Sequence, residues 1–121
     1  MESRIVLGLI EPVKILIGDN QEPILARIDT GAERSSIDHE LALKLGVEKQ
    51  SFKKRIRTVL GRSIRELANI NLELADQKLE SQFSICDRSH MNYKVLIGQD
   101  ILKKGNFIID PLKITGKEIL Q

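Results

Sequence analysis

The residues with the most chemical promise are Ile28-Asp29-Thr30-Gly31-Ala32, at the end of an apolar run that begins at Pro23. A carboxylate placed there enters a tight turn, and Gly31 lets the backbone bend and other groups approach closely. Thr30 can hydrogen-bond the turn, while Asp29 can accept backbone N–H groups or exchange a proton with a reactant. The same residues also make a plain strand-ending turn, since Asp, Thr and Gly are common turn formers. Other reactive types are sparse: two histidines, His39 and His90, and one cysteine, Cys86. His39-Glu40 has no second histidine four residues after the first, so the helix-borne zinc peptidase motif is absent, and there is no glycine-rich phosphate loop. His39 is expected in the first turn of a short helix and Cys86 as core filling. No metal site and no cofactor is assigned.

These candidates need elements to hold them. Ile5 to Ile10 is a short apolar run, Pro12 interrupts it, and Val13 to Ile17 resumes with β-branched residues. Gly18-Asp19-Asn20 signals a turn, so the run up to Ile17 and the run Pro23 to Ile28 can pair as a hairpin. Ser35-Ser36-Ile37-Asp38 leads into His39 to Leu45, where Leu41, Ala42 and Leu45 lie at helical spacing; Asp38 or Ser36 can cap its start, and Gly46 suits its end. Lys53 to Val59 and Ile64 to Leu74 flank the turn Leu60-Gly61-Arg62-Ser63, which predicts another hairpin. Ala68, Ile70, Leu72 and Leu74 alternate with polar residues, the pattern of a strand with one buried face. After a turn at Asp76-Gln77, Leu79, Ser81, Phe83 and Ile85 alternate again. Beyond a turn at Asp87-Arg88-Ser89 come Val95 to Gly98, a helical piece Asp100 to Lys104 stopped by Gly105, and the strand Phe107 to Ile109. Many short strands with one or two short helices predict a mainly β fold, a small closed β-barrel.

The chain of 121 residues fits one domain, 1–121. At this size folding hides roughly two-thirds of the unfolded surface, enough for a core without staples. Apolar residues at 41% and charged residues at 30% argue against disorder. No apolar run approaches the roughly 18 residues of a membrane span, and Arg4 to Ile10 is too short for a secretory signal. A lone cysteine excludes an internal disulfide framework and fits a reducing compartment, so a cytoplasmic location without membrane contact is expected. Three Phe, one Tyr and no Trp offer no stacking platform for nucleic acid. The net charge of +2 conceals a segregation: residues 51–65 hold six basic and no acidic residues, which leaves 13 basic against 17 acidic elsewhere.

The run from Ile24 to Ala32, with Ser35-Ser36-Ile37 and the helix ending Leu45-Gly46-Val47, resembles the retropepsin-like aspartic peptidases. A second hallmark follows at Val95-Leu96-Ile97-Gly98-Gln99-Asp100-Ile101-Leu102. Between and after them, Asp87 to Lys94 and Phe107 to Pro111 resemble a bacterial and archaeal branch labelled "ATP-dependent zinc protease", which is associated with ATP-grasp ligases that add glutamate tails. The resemblance runs from about Val6 to Pro111. It implies a retropepsin-like barrel and a homodimeric aspartic endopeptidase whose catalytic residues are Asp29, Thr30 and Gly31, with Ala32 beside the substrate. Because the chain has one Asp-Thr-Gly, the second carboxylate would come from Asp29 of the partner subunit. Thr30 would reach across the two-fold axis and Gly31 would contact the substrate backbone. A flap hairpin is implied at about 53–68, with Val59, Leu60, Gly61 and Arg62 near its tip touching substrate. In many members an Arg follows the Gly of the second hallmark and pairs with an acid near the catalytic loop. Here Gln99 stands in that place with Glu33 as the corresponding acid, and Arg34 or Arg88 are candidates for the missing charge.

The alternatives follow from the same residues. Asp100 or Asp110 as an in-chain partner for Asp29 lacks the Thr-Gly context. The basic segment is either a solvated strand edge that blocks aggregation or a collar, with Arg55, Arg57 and Arg62, that attracts an acidic peptide or protein tail. A retropepsin-like module that binds an acidic partner or nucleic acid without cleaving is a second reading, and a small basic-hairpin RNA-binding domain is a third.

Overall fold

A computed structural model describes residues 3–48, 53–58 and 61–115; for residues 53–58 and 61–64 it describes the backbone only. Alternation builds most of the strands. In β2 (Ile10–Ile15) every second residue is buried, and β2 pairs antiparallel with β3 (Pro23–Ile28). Pro12 does not interrupt β2 as expected but lies within it, opposite Leu25. The Ile28 N–H donates to Leu9 O. Bonded positions alternate along an antiparallel pair, so Pro12 falls at a non-bonded position toward β3, and the pairing of β2 with the strand on its other side begins only at Val13. Its missing N–H is therefore not needed.

β4 (Ser36–Asp38) is a strand where a helix approach was expected. It leads directly into α1 (His39–Leu45), whose first turn is capped by the Asp38 carboxylate accepting the Leu41 N–H, and whose end is Gly46 in the left-handed region, φ 81°. β5 (Lys53–Thr58) pairs with β6 (Gly61–Leu74) from Lys53↔Glu66 to Thr58↔Gly61. That register leaves only residues 59–60 between the paired ends, so Gly61, Arg62 and Ser63 belong to β6 and not to a four-residue turn. β6 continues into β7 (Gln77–Cys86) through Ala75 and Asp76, both at positive φ, one residue earlier than the sequence suggested. The chain then forms β8 (Val95–Ile97), α2 (Gln99–Lys104) and β9 (Ile108–Ile109), and β9 pairs in parallel with β1 (Val6–Leu7) in a separate small sheet.

The large sheet runs β2-β3-β8-β4-β7-β6, and β2 also pairs with β6, which closes a six-strand barrel with β5 attached outside on β6. The expected closed β-barrel with two short helices is what forms. Its interior holds Val13, Ile15, Ile37, Leu72, Leu74 and Phe83, all fully buried. β3 and β8 run parallel, with Ile28 opposite Ile97, while β4 runs antiparallel to β8, with Ser36 opposite Leu96. The end of β3 and the start of β4 therefore meet at one rim, and the loop between them carries Asp29. Among the described residues no helix is long and apolar enough to cross a membrane.

The register makes a direct prediction. Leu72 faces the core and its neighbour Asn71 is exposed. Leu72→Ala should lower unfolding free energy by about 2–5 kcal/mol and Asn71→Ala by no more than about 0.5 kcal/mol, read by urea denaturation. A one-residue slip would exchange the two effects.

Candidate active site

Asp29 follows the last residue of β3 and is half-buried. Its N–H donates to Ile97 O at 2.9 Å, which extends the β3–β8 pairing by one bond into the turn. Its carboxylate Oδ1 accepts the Gly31 N–H at 2.9 Å, and its carbonyl accepts the Ala32 N–H at 3.3 Å. Asp29, Thr30, Gly31 and Ala32 thus form one compact turn, with Thr30 and Gly31 exposed at the rim. A carboxylate oriented by a backbone N–H at an exposed turn is set up to accept or donate a proton to something bound outside the barrel.

The turn rests on the junction of β8 and α2. Gln99 N donates to Ala32 O at 2.7 Å, Asp100 N to Glu33 O at 3.2 Å, and the Gln99 side-chain Nε2 to Thr30 O at 2.7 Å. Gly98 makes the close approach possible: a Cβ there would lie 2.7 Å from Ala32 O and 2.9 Å from the carbonyl carbon of Arg34. Below the turn, fully buried Ser35 donates through its hydroxyl to Asp100 Oδ1 at 2.7 Å and through its N–H to Oδ2 at 3.0 Å. The same hydroxyl accepts the Gly98 N–H at 2.9 Å, and the Ser81 hydroxyl donates to Asp100 Oδ2 at 3.2 Å.

This network corrects several expectations. Gln99 does not pair with Glu33; its amide reaches the Thr30 carbonyl, and among the described residues Glu33 contributes its backbone oxygen to the network. Arg88 does not serve the loop either. It is 8% exposed, its Nε donates to Tyr93 O, and its N–H donates to the Asp38 carboxylate at 2.7 Å. Asp100 is engaged by Ser35, Ser81 and the Ile101 N–H, and Asp110 accepts the Leu112 N–H, so each carboxylate has a structural partner of its own. Cys86 is half-buried and borders a surface pocket, because it ends β7 where the strand leaves the barrel. The sequence places Ser35 in the motif after the turn and Ser81 in a strand but does not show their bonds to Asp100, since a small hydroxyl carries no local sign of a distant partner.

Arg55 and Arg57 lie on β5, where Arg57 is the register partner of Arg62 and Thr58 of Gly61. Backbone pairing holds these five positions on one hairpin. Val59 and Leu60 lie outside the described residues. At the hairpin's root a pocket of about 560 Å³ is lined by Asp38, His39, Glu40, Arg65, Glu66 and Asp87 among others, none of them from the Asp29 turn. His39 Nδ1 lies 3.8 Å from the Glu40 carboxylate, and the Ser89 hydroxyl, then its N–H, holds exposed Asp87 below the ordinary carboxylate range. Among the described residues no three His, Cys, Asp or Glu side chains converge in a way that could hold a metal ion.

The seat of the loop predicts an unusual glycine ranking. Gly46→Ala meets only left-handed strain in open space and should cost about 1 kcal/mol. Gly98→Ala drives a methyl group into the backbone of the Asp29 loop and should cost about 2–3 kcal/mol or more, measured by denaturant unfolding.

Comparison with known proteins agrees with this geometry. The family model described as "gag-polyprotein putative aspartyl protease" matches residues 13–104, a span that holds both the Asp29 turn and α2. Among curated proteins no sequence matches. A Legionella pneumophila protein of unknown function, Lpg0085, superposes with a TM-score of 0.69 at 19% identity, covering 94% of this chain and 98% of that one. The EIAV protease bound to the inhibitor HBY-793 superposes at 0.56 with 21% identity, covering 78% and 86% of the two chains. The retroviral protease-like domain of Ddi1 from Leishmania major gives 0.52 with 22% identity, covering 81% and 75%. With a six-strand barrel, a rim turn bearing Asp29 and a helix seated beneath it, the chain belongs to the gag-polyprotein aspartyl protease family.

Proposed function

We propose that the protein is a homodimeric aspartic endopeptidase acting on acidic, glutamate-rich protein tails. The observation that carries this reading is the Asp29 carboxylate, oriented by the Gly31 N–H on a turn exposed at the barrel rim. One chain supplies one such turn, so two chains related by a two-fold axis would bring Asp29 and Asp29 of the partner subunit together. Two carboxylates that close share one proton. The ionised member takes a proton from water as its oxygen attacks the peptide carbonyl, and the protonated member gives its proton to the carbonyl oxygen. Collapse of the tetrahedral intermediate breaks the C–N bond, with a proton delivered to the leaving nitrogen. Thr30 and Gly31 would complete the site, and Ala32 would border the substrate.

Several surface features support this assembly. Leu9, whose carbonyl bonds Ile28 beside the catalytic turn, is exposed, as are Ile108, Leu112 at 88% and Ile114 at 78%. Four exposed apolar residues within the two terminal segments suit a surface that a second copy covers. The β5–β6 hairpin would act as the flap. The six basic residues of 51–65, Arg55, Arg57 and Arg62 among them, would draw an acidic chain toward the site, with Val59, Leu60 and Gly61 touching it. The resemblance to the glutamate-ligase-associated branch points to the same substrate, and a reducing, cytoplasmic setting suits the single cysteine. The mechanism requires neither zinc nor ATP.

Purified protein should cleave a glutamate-rich peptide, and Asp29→Asn should reduce turnover by about 10³-fold or more while the circular dichroism spectrum is unchanged. Sedimentation should give a dimer for both. A wild type that binds such peptides with steep salt dependence but never cleaves would instead make this a binding module. Arg55→Glu with Arg57→Glu should raise KM for the acidic peptide about tenfold at low salt and have little effect at high salt. Unchanged turnover of acidic substrate would remove the collar.

A further inference from the structure

We propose that Gln99 is a positioning residue that orients the Asp29 carboxylate through a single peptide group; this rests on the reading of Asp29 as the reactive acid. The peptide linking Thr30 to Gly31 is held at both ends. Its carbonyl accepts the Gln99 Nε2–H at 2.7 Å, and its N–H donates to Asp29 Oδ1 at 2.9 Å. A peptide unit is planar and trans, so its C=O and N–H point in opposite directions and fixing one end fixes the other. Donation to the carbonyl also polarises the unit, which strengthens the N–H as a donor.

The other bonds that seat the loop do not do this. Gln99 N to Ala32 O, Asp100 N to Glu33 O and Asp29 N to Ile97 O are backbone bonds that survive any side chain at position 99. The Asp100 network grips Ser35, beyond the turn. Among the described residues the Gln99 amide is the one side-chain donor that reaches the Thr30–Gly31 peptide from outside the turn. Both Thr30 and Gly31 are exposed, so without that donor the peptide can rotate toward solvent and release Oδ1. The clamp is uncharged, so salt should not loosen it as it loosens an exposed ion pair.

The test uses the full chain and two independent readouts. In ¹H–¹⁵N spectra, Gln99→Leu should move the Gly31 amide proton upfield and speed its exchange about tenfold, the equivalent of losing one hydrogen bond. The Ser35 amide, bonded to Asp100, should be unaffected. Gln99→Arg, which keeps a donor of sufficient length, should restore the Gly31 signal, and Gln99→Glu, which lacks one, should not. In turnover of a glutamate-rich peptide, Gln99→Leu should lower kcat about tenfold with KM little changed. A Gly31 amide indifferent to Gln99→Leu overturns the proposal, as does a Ser35 amide that loosens equally, since that reports general loss of structure. If the wild type does not cleave, the peptidase reading falls, while the amide measurement still decides whether Gln99 orients Asp29.

Discussion

The loop from Asp29 to Ser35 has few side chains to hold it, and its shape depends on the β8–α2 junction beneath. Gly98 permits backbone to lie on backbone, Gln99 and the Asp100 N–H supply donors to the loop carbonyls of Thr30, Ala32 and Glu33, and the Asp100 carboxylate grips Ser35. Each contact joins residues more than sixty positions apart in sequence. A turn of only a few residues can hold a carboxylate steady because a helix start and a strand end are built against it.

The barrel exists, on this view, to bring those two segments together. β3 delivers Asp29 to the rim and β8, parallel to it, delivers Gly98 to the same rim. β4 takes the chain away between β8 and β7, which places Ser35 against Asp100, whose other oxygen accepts the β7 hydroxyl Ser81. The buried faces of β2, β6 and β7 close the cylinder and give the rim its rigidity. Apolar burial supplies stability, and a few buried polar bonds supply position. β5 alone lies outside the closed ring, joined through β6 among the described residues.

Much of this was legible in the sequence, for identifiable reasons. Period-two alternation from Ala68 to Ile85 announced β6 and β7, and Asp38 and Gly46 marked both ends of α1, because those signals are local. The Asp-Thr-Gly turn was legible for the same reason. What escaped was set by partners far along the chain. Pro12 reads as an interruption until its position in the ladder shows that no N–H is wanted there. β4 is too short to show a pattern and is a strand only because β7 and β8 flank it. The pairing of Gln99 with Glu33 rests on analogy with a charged pair, whereas the amide reaches the Thr30 carbonyl, an acceptor that only the folded loop brings near. The charge on 51–65 was plain from composition, while the pocket at the hairpin root depends on tertiary packing.

The central claim is that two copies of Asp29 act as one catalytic unit, and subunit mixing tests it most directly. Wild type and Asp29→Asn chains are combined in varying ratio, allowed to exchange, and assayed on a glutamate-rich peptide at constant total protein. If both carboxylates are needed, activity falls as the square of the wild-type fraction, to about a quarter in an equal mixture. A linear fall, to about half, would mean that one chain suffices and would contradict the account.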